Sequence, residues 1–285
     1  MFICEVHNMA HAGSDNKHLL FMGGGNIAGA VACGLVKAGT LPPEYVTVYD
    51  IDPLKLDKFK ECGIKTTSQF PSAALNADYI FIAVKPNVVK TVIKQIVSDP
   101  GFDPRSVIVS FAAAVSIDHI IKSAERELKV IRTMPGTPIL VGEGVLAACK
   151  NDPVGKSEFE YFCRILSSIA YVSVMPEDAL IPVISVNGSS PAYVYLFIKS
   201  MLDASVKLGI DRDTALQLIL KTVKGSVTMI EKSDVSIDQL IKNVSSPNGT
   251  TVAALESFYK DDFSGSVERA MTACTRRAEE ISEEL

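Results

Sequence analysis

The chain has 285 residues, enough for one large domain or two of ordinary size. Apolar residues make up 47% of it and charged residues 21%, a balance that predicts a folded core and excludes a disordered chain. The net charge of −5 excludes the basic surface typical of nucleic-acid-binding proteins. The longest apolar stretches are interrupted by charges, so no membrane span is predicted. The six cysteines are scattered without a Cys-x-x-Cys pair, which favours reduced thiols over a disulfide framework or a zinc site.

Residues 1–17 are polar, and we expect a disordered leader there. The segment has neither a signal-peptide core nor the arginine-rich pattern of a mitochondrial presequence. Together with the reduced cysteines this favours a cytoplasmic protein. His7 and His11 have the spacing of helical metal ligands, but no third ligand stands nearby, so no metal site is predicted.

From residue 18 to residue 176, short apolar strands alternate with helical segments. Strands are predicted at 19–22, 45–49, 79–84, 107–110, 130–134, 145–149 and 171–174. Helices are predicted to start near Asn26, Pro53, Asn87 and Ser116, and another to cover 156–169. This alternation predicts an α/β fold, a Rossmann-type doubly wound parallel sheet with right-handed crossovers.

The pattern changes after Met175, and residues 177–285 show helical periodicity without a strand pattern. Helices are predicted over 191–207, from an Asp211 cap to about Lys232, from a capping box of Ser236 and Gln239, and from near 251 and 264. We therefore predict a dinucleotide-binding domain at 18–176, followed by an all-α C-terminal domain at 177–285.

The strand at 19–22 leads into a Gly-x-Gly-x-x-Ala turn that opens a helix. Gly23 permits the bend, Gly25 lets a pyrophosphate approach the backbone, and Ala28 lets the helix lie close to the sheet. The free N–H groups of the helix N-terminus would face the phosphates. This order predicts a nicotinamide or flavin dinucleotide site, although glycine-rich turns that bind no nucleotide have the same pattern.

Two charged residues follow predicted strands, at the sheet edge where ligands bind. Asp50 can accept hydrogen bonds from the adenine ribose of NAD and would repel the 2′-phosphate of NADP, which favours NADH. Lys55 nearby leaves NADPH open, and the alternative for Asp50 is a plain turn residue before Pro53. Lys85 is either a cofactor contact or a solvated loop charge.

Two further loops have compositions that suit ligand binding. Residues 132–138 end a strand and contain two prolines, so they form either a rigid loop beside a nicotinamide or a plain turn. Residues 244–251 precede a helix, and their hydroxyls and free N–H groups offer a carboxylate site. A capping loop of the same composition would bind nothing, and the residues alone leave both interpretations open.

From about His18 to the C-terminus, the chain closely resembles the pyrroline-5-carboxylate reductases. The motifs that carry the resemblance are residues 23–28, 83–86, 134–138, 188–193 and above all 244–251. The resemblance implies NAD(P)H-dependent reduction of 1-pyrroline-5-carboxylate to L-proline, the last step of proline biosynthesis, by a homodimer or a larger assembly of dimers. The helical domain would be the dimerisation domain and would form part of each substrate site.

Motif position and resemblance together assign the site residues. The cofactor-binding residues would be Gly23, Gly25, Asn26, Ile27, Ala28, Asp50, Ala83, Val84, Lys85 and Pro86. The substrate-binding residues would be Ser246, Asn248, Gly249, Thr250 and Thr251. Thr251 matches the family threonine near the ring nitrogen and is the catalytic candidate. No metal is implied.

Several positions depart from the family pattern. Gly136 replaces the asparagine of Met-Pro-Asn-Thr-Pro, and Asn248 replaces the first glycine of Gly-Gly-Thr. Asn187 and Ser190 change the ends of a Ser-Gly-Ser-Gly stretch. Asparagine tolerates unusual backbone angles, so the loop at 248 is expected to survive, whereas Gly136 removes a side-chain amide. These changes bear on affinity and cofactor preference more than on reaction class.

Two other functions remain open from the residues. A hydroxyacid or related dehydrogenase would place a lysine or an acid–base pair on the helical domain, and Lys199 is the candidate on its first long helix. A nucleotide-sensing Rossmann protein would bind NAD(P)H without a substrate loop, which the segment 245–251 disfavours.

Overall fold

The computed structural model describes residues 16–285, so His7, His11 and most of the predicted leader lie outside the described residues. The strands are β1 (Leu19–Met22), β2 (Val46–Tyr49), β3 (Lys65–Thr67), β4 (Tyr79–Ile82), β5 (Val107–Ser110), β6 (Lys129–Pro135), β7 (Gly144–Lys150) and β8 (Ala170–Val174). The helices are α1 (Asn26–Lys37), α2 (Asp57–Lys60), α3 (Pro86–Ser98), α4 (Ile117–Ala124), α5 (Lys156–Leu166), α6 (Ser190–Lys207), α7 (Arg212–Lys232), α8 (Ile237–Asn243), α9 (Thr250–Lys260) and α10 (Phe263–Glu284). The predicted α/β fold followed by helices is confirmed.

The eight strands form one sheet in the order β3-β2-β1-β4-β5-β6-β7-β8. Neighbouring strands are parallel except β6 and β7, which run antiparallel, so the parallel sheet predicted from the sequence is wrong at this pair. The reason is the short connection. Only residues 136–143 separate the two strands, and a 3₁₀ turn at Thr137–Val141 fills most of them. A parallel crossover needs about a dozen residues or more.

Apolar side chains cover both faces of the sheet, as the continuous apolar runs of the strands predict. On one face the rings of Phe21 and Phe81 stack with centroids 4.5 Å apart, under residues of α1 and α5. On the other face Leu20, Ile80 and Ile108 are buried together with residues of α3 and α4. This packing holds the carboxyl ends of β1 and β4 side by side.

The segment between β2 and β4 differs most from its prediction. The helix expected near Pro53 is a 3₁₀ turn, Pro53–Leu56, followed by the four-residue α2. Asp52 caps the 3₁₀ turn by accepting a hydrogen bond from the Leu54 N–H at 3.0 Å. β3 was not predicted, because its Lys-Thr-Thr sequence at the sheet edge lacks an apolar signal.

The C-terminal helices begin close to their predicted positions. Asp211 accepts a hydrogen bond from Thr214 N at 3.0 Å at the start of α7, and Ser236 accepts one from Gln239 N at 3.2 Å at the start of α8. The Gln239 side chain donates to Asn243 at 2.8 Å rather than completing the predicted capping box.

The chain divides into two compact units. The sheet unit runs up to Ser189 and includes Cys274–Leu285, and the helical unit is Ser190–Ala273. Within the sheet unit, Leu285 is partly buried against the apolar cluster of α3 and α4, so the chain end packs back on the sheet. The buried apolar cluster of the helical unit consists of Leu202, Ala215 and Ile219.

One helical stretch of residues 16–285, Glu177–Lys207, is long and apolar enough to cross a membrane by length and composition alone. The sequence was expected to contain no such stretch, because charges such as Lys199 and Asp203 interrupt it. Only 17% of its apolar window is buried within the single chain.

Candidate active site

The glycine-rich turn lies where the strand order of the sheet reverses. β1 stands between β2 and β4, so the chain leaves β1 toward one side of the sheet and returns on the other. Ligands of open parallel sheets bind outside the carboxyl ends of the strands at such a reversal. Gly23, Asp50 and Ala83 directly follow these three strands, so the structure brings predicted cofactor residues together.

Gly23 makes the closest approach in this turn. Its φ of +114° is a conformation that glycine adopts readily and other residues rarely do. A Cβ at this position would lie 2.6 Å from the carbonyl oxygen of Ala83. The Gly23 N–H donates to the Tyr49 carbonyl at 2.7 Å. The turn is therefore fixed to the ends of both neighbouring strands.

Gly25 has a different role, because it leaves open space. It is the N-cap residue of α1, with an ordinary φ of −67° and no side-chain cap. A Cβ there would approach only the Ala83 carbonyl oxygen, at 4.0 Å. Beside it Asn26 is exposed, Ile27 is half-buried, and Ala28 packs against the sheet. Free N–H groups and an unfilled approach suit a pyrophosphate.

The carboxylate of Asp50 is bonded to the backbone on both oxygens. The residue is 8% exposed. Its Oδ2 accepts a hydrogen bond from Gly24 N at 2.7 Å, and its Oδ1 accepts one from Asp52 N at 2.9 Å. Lys55 Nζ lies 3.5 Å from Oδ1. Asp50 therefore orders the glycine turn, a role not predicted from the sequence, and each oxygen keeps a lone pair for a ribose hydroxyl.

Lys58, a residue not identified from the sequence, also contacts the turn. Its ammonium donates a hydrogen bond to the Gly25 carbonyl at 3.0 Å and lies 5.1 Å from the centre of the Phe59 ring. Its aliphatic stem crosses α1 at Gly29, where a Cβ would lie 2.9 Å from Lys58 Cε. Burial lowers the pKa of Lys58. In the sequence, the only indication that a side chain could lie across α1 here is Gly29, the small residue directly after the Gly-x-Gly-x-x-Ala motif.

Residues 83–86 form the exit from β4. Ala83 and Val84 are half-buried, and Lys85 is the exposed N-cap residue of α3. Pro86 occupies the first helical position, where the N–H that proline lacks would have no partner in the helix. The helix predicted to start near Asn87 begins one residue earlier, and α3 has no side-chain cap.

The loop after β6 packs against Asn187, which lies in a π-helical turn at Ile184–Gly188. The Asn187 side-chain amide donates to the Met134 carbonyl at 2.9 Å. A Cβ at Gly136 would lie 2.7 Å from the Asn187 carbonyl oxygen. Two departures from the family pattern, at 136 and 187, are therefore neighbours, and the glycine allows the close approach.

An ion pair between a buried arginine and a half-buried glutamate supports the same strand. Arg132 is 4% exposed, and its Nη1 lies 2.9 Å from Glu177 Oε1. The same oxygen accepts a hydrogen bond from Ile117 N at 2.8 Å, at the start of α4. Burial, with a smaller effect of Glu177, raises the pKa of the Cys149 thiol to about 11. Glu177 was not identified from the sequence; it holds β6 and α4 in place.

The predicted substrate loop lies in the helical unit, between α8 and α9. Asn248 adopts a φ of +59°, a conformation that asparagine tolerates. Gly249 is the N-cap residue of α9, and its N–H donates to the Ser246 carbonyl at 3.0 Å. No side chain caps α9. Ser246, Asn248 and Thr250 are exposed and Thr251 is half-buried, so the loop presents hydroxyls and free N–H groups.

Two family models match the chain. Residues 177–281 match the model for pyrroline-5-carboxylate reductase dimerisation. Residues 18–114 match a model described as NADP oxidoreductase, coenzyme F420-dependent. Over 270 residues the chain is 34% identical to the pyrroline-5-carboxylate reductase of Escherichia coli (strain K12), a match that covers 93% of this chain and 98% of that protein.

Solved structures extend the similarity over nearly the whole chain. A Plasmodium falciparum pyrroline carboxylate reductase with NADP bound has a TM-score of 0.86 at 31% identity, covering 95% of this chain and 100% of that one. A pyrroline-5-carboxylate reductase from Coxiella burnetii has a TM-score of 0.84 at 30% identity, covering 94% and 99%.

The two glycines of the turn should respond differently to a methyl group. We expect Gly25→Ala to leave the melting temperature nearly unchanged and to weaken dinucleotide binding by roughly tenfold or more, because the methyl group fills the phosphate approach. Gly23→Ala should lower the free energy of unfolding by about 1–3 kcal/mol, because it strains the backbone against Ala83. Thermal unfolding and fluorescence titration with NADH measure both effects. Undiminished affinity in Gly25→Ala would show that no phosphate approaches this position.

Proposed function

The chain belongs to the pyrroline-5-carboxylate reductase family, and we propose how its residues perform the reduction of 1-pyrroline-5-carboxylate to L-proline with NAD(P)H. The observation that carries the proposal is the presence of two complementary binding elements in one chain. One is the open glycine turn at the strand-order reversal. The other is the uncapped loop at 246–251.

The cofactor is assigned to the carboxyl edge of the sheet. Its pyrophosphate would lie over Gly25, at the N-terminus of α1, where a side chain is missing and N–H groups are free. The P. falciparum relative was solved with NADP bound, which supports this class of cofactor. The residues assigned to it are Gly23, Gly25, Asn26, Ile27, Ala28, Asp50, Ala83, Val84, Lys85 and Pro86.

The substrate carboxylate is assigned to the loop before α9. The backbone N–H groups at the start of α9 and the positive end of its dipole favour an anion there. Asn248 and Gly249 set the backbone path that exposes these groups. Ser246 and Thr250 add exposed hydroxyls, and the half-buried Thr251 is assigned to the ring nitrogen.

The chemistry requires orientation more than acid–base catalysis. A bound nicotinamide supplies the hydride that the imine carbon accepts. Because a protonated cyclic imine is already an electrophile, the protein has mainly to hold the ring carbon at the correct distance and angle. We assign to the Thr251 hydroxyl a hydrogen bond with the ring nitrogen, which would fix the face of the ring presented to the nicotinamide.

The two alternative functions lose their support. Lys199, the acid–base candidate of a hydroxyacid dehydrogenase, lies on the surface of the chain and forms an ion pair with Asp203 at 2.6 Å. A sensor without catalysis does not account for family similarity that includes the substrate loop and 98% of the E. coli enzyme.

Thr251→Ala should keep the fold and lower kcat/KM by roughly 100-fold, because the hydroxyl acts on the reacting ring and not on the helix cap. Thr251→Ser retains the hydroxyl and should keep most of the activity. Initial rates with 1-pyrroline-5-carboxylate and reduced cofactor, together with the melting temperatures, test this assignment. Unchanged kinetics in Thr251→Ala would remove the residue from the mechanism.

We also propose a weak preference for NADH over NADPH, since the Asp50 carboxylate would repel a 2′-phosphate. The kcat/KM with NADH should therefore exceed the value with NADPH. Asp50→Asn should shift that ratio about tenfold toward NADPH, a change of 1.4 kcal/mol. Because Asp50 also holds Gly24, both rates are expected to fall, and the ratio isolates the charge effect. A wild-type ratio that favours NADPH would contradict the preference.

The helical unit is assigned to a homodimer, alone or within a larger assembly of dimers. Residues 177–281 match a dimerisation model, and the unit exposes large apolar side chains such as Leu196 (65%) and Leu218 (58%). A second copy covers such a surface better than lipid, because Lys199 and Asp203 interrupt it and charges are costly in a bilayer. We therefore propose a soluble, cytoplasmic enzyme.

Leu196→Glu should shift the protein from dimer or larger species toward monomer, because the carboxylate would be buried in the interface. Gln95→Glu, on the exposed side of α3 in the sheet unit, adds the same charge and should leave the assembly unchanged. Light scattering coupled to size exclusion measures the mass of each. A monomeric wild-type protein would refute the assignment.

A further inference from the structure

We propose that Lys58 binds a phosphate group of the nicotinamide cofactor. The proposal rests on the function given above, since it requires the cofactor to lie over the glycine turn. It adds to the predicted cofactor site a residue that lies outside every motif of the sequence.

The Lys58 ammonium lies against the glycine turn. It donates to the carbonyl of Gly25, which already accepts the first helical hydrogen bond, from Gly29 N at 3.0 Å. A lysine ammonium has three donors, so the contact with Gly25 leaves others for a ligand. Gly25 is also the residue whose missing side chain opens the approach to the N-terminus of α1.

Lys58 differs in its charge partners from the two lysines that flank it. Three lysines lie on the segment 55–60, and two of them pair with carboxylates: Lys55 with Asp50 and Lys60 with Asp57. Among residues 16–285, no carboxylate forms an ion pair with Lys58. Its charge lies beside the first turn of α1, the end where a helix dipole favours anions and disfavours cations. An anion here would pair with the Lys58 ammonium and would also interact favourably with the positive end of the α1 dipole.

The aliphatic stem of Lys58 packs against α1 at Gly29. The stem lies across α1 where Gly29 has no side chain, and a Cβ there would be 2.9 Å from Cε and 3.0 Å from Nζ. The glycine therefore lets the long side chain extend along α1 to the turn. A residue with a Cβ at 29 would displace the ammonium from Gly25.

The contact point favours the pyrophosphate. Gly25 borders the pyrophosphate approach, whereas the 2′-phosphate of NADPH would lie near Asp50, at the end of β2. We therefore expect Lys58 to contribute to the binding of NADH and NADPH alike.

The test compares Lys58→Met with Lys60→Met, which removes the same charge from the same short helix. Fluorescence titration gives the Kd of NADH and NADPH, and calorimetry gives that of ADP-ribose, which keeps the pyrophosphate but lacks the nicotinamide. We expect Lys58→Met to weaken all three by roughly tenfold and Lys60→Met to weaken none. Lys58→Arg should restore most of the affinity, and Gly29→Ala should lower it while keeping the charge.

Salt distinguishes a charge contact from a structural role. A lysine bound to phosphate makes Kd rise with ionic strength, so the rise should be smaller in Lys58→Met than in the wild type at equal melting temperature. A loss confined to NADPH would assign Lys58 to the 2′-phosphate. Equal affinities for wild type and Lys58→Met would overturn the proposal and leave the cofactor site standing, whereas a wild type that binds neither cofactor would overturn the proposed function itself.

Discussion

The close approach of the Gly23 turn to the Ala83 carbonyl is the constraint on which the cofactor half of the molecule depends. Only a residue without a Cβ fits, and only with a positive φ. Once the turn lies there, the Gly23 N–H reaches Tyr49 and the Gly24 N–H reaches the Asp50 carboxylate. These two hydrogen bonds hold the turn to the end of β2, while Gly23 packs directly against the end of β4. The helix that follows is aimed, with its N-terminus free, at the edge where the strand order reverses.

This linkage gives Asp50 two roles that a sequence cannot separate. Its place after β2 predicts an acceptor for a ribose, and the structure shows an acceptor for the backbone of Gly24 and Asp52. Two lone pairs on each oxygen allow both roles. Removing the carboxylate therefore changes the shape of the turn and its charge together. Cofactor preference is best expressed as a ratio of rates, in which the change of shape cancels.

The features that the sequence predicts well are those determined by residues close together in the chain. The strands β1 and β5, the start of α1 and the Asp211 and Ser236 caps follow from apolar runs and capping residues close in sequence. Other features depend on residues that the fold brings together. They are the antiparallel pairing of β7, the ion pair of Glu177 with Arg132 and the hydrogen bond of Lys58 to Gly25. Glu177 meets Arg132 45 positions away, and Lys58 meets Gly25 33 positions away. Neither partner carries a local pattern that points to the other. The departures at 136 and 187 likewise lie far apart in sequence but are packed against each other in the fold.

The helical unit differs because its own core is so small. Three buried apolar side chains cannot stabilise a unit of this size alone, since small cores barely offset the loss of conformational entropy. Side chains cap α7 and α8, but a cap contributes only about 1 kcal/mol. Whatever covers the exposed apolar side chains must therefore supply much of the folding free energy. If that cover is a second copy, association and folding of this unit are one equilibrium, and its stability depends on protein concentration. The substrate loop before α9 lies in this unit, so its geometry would depend on the same equilibrium.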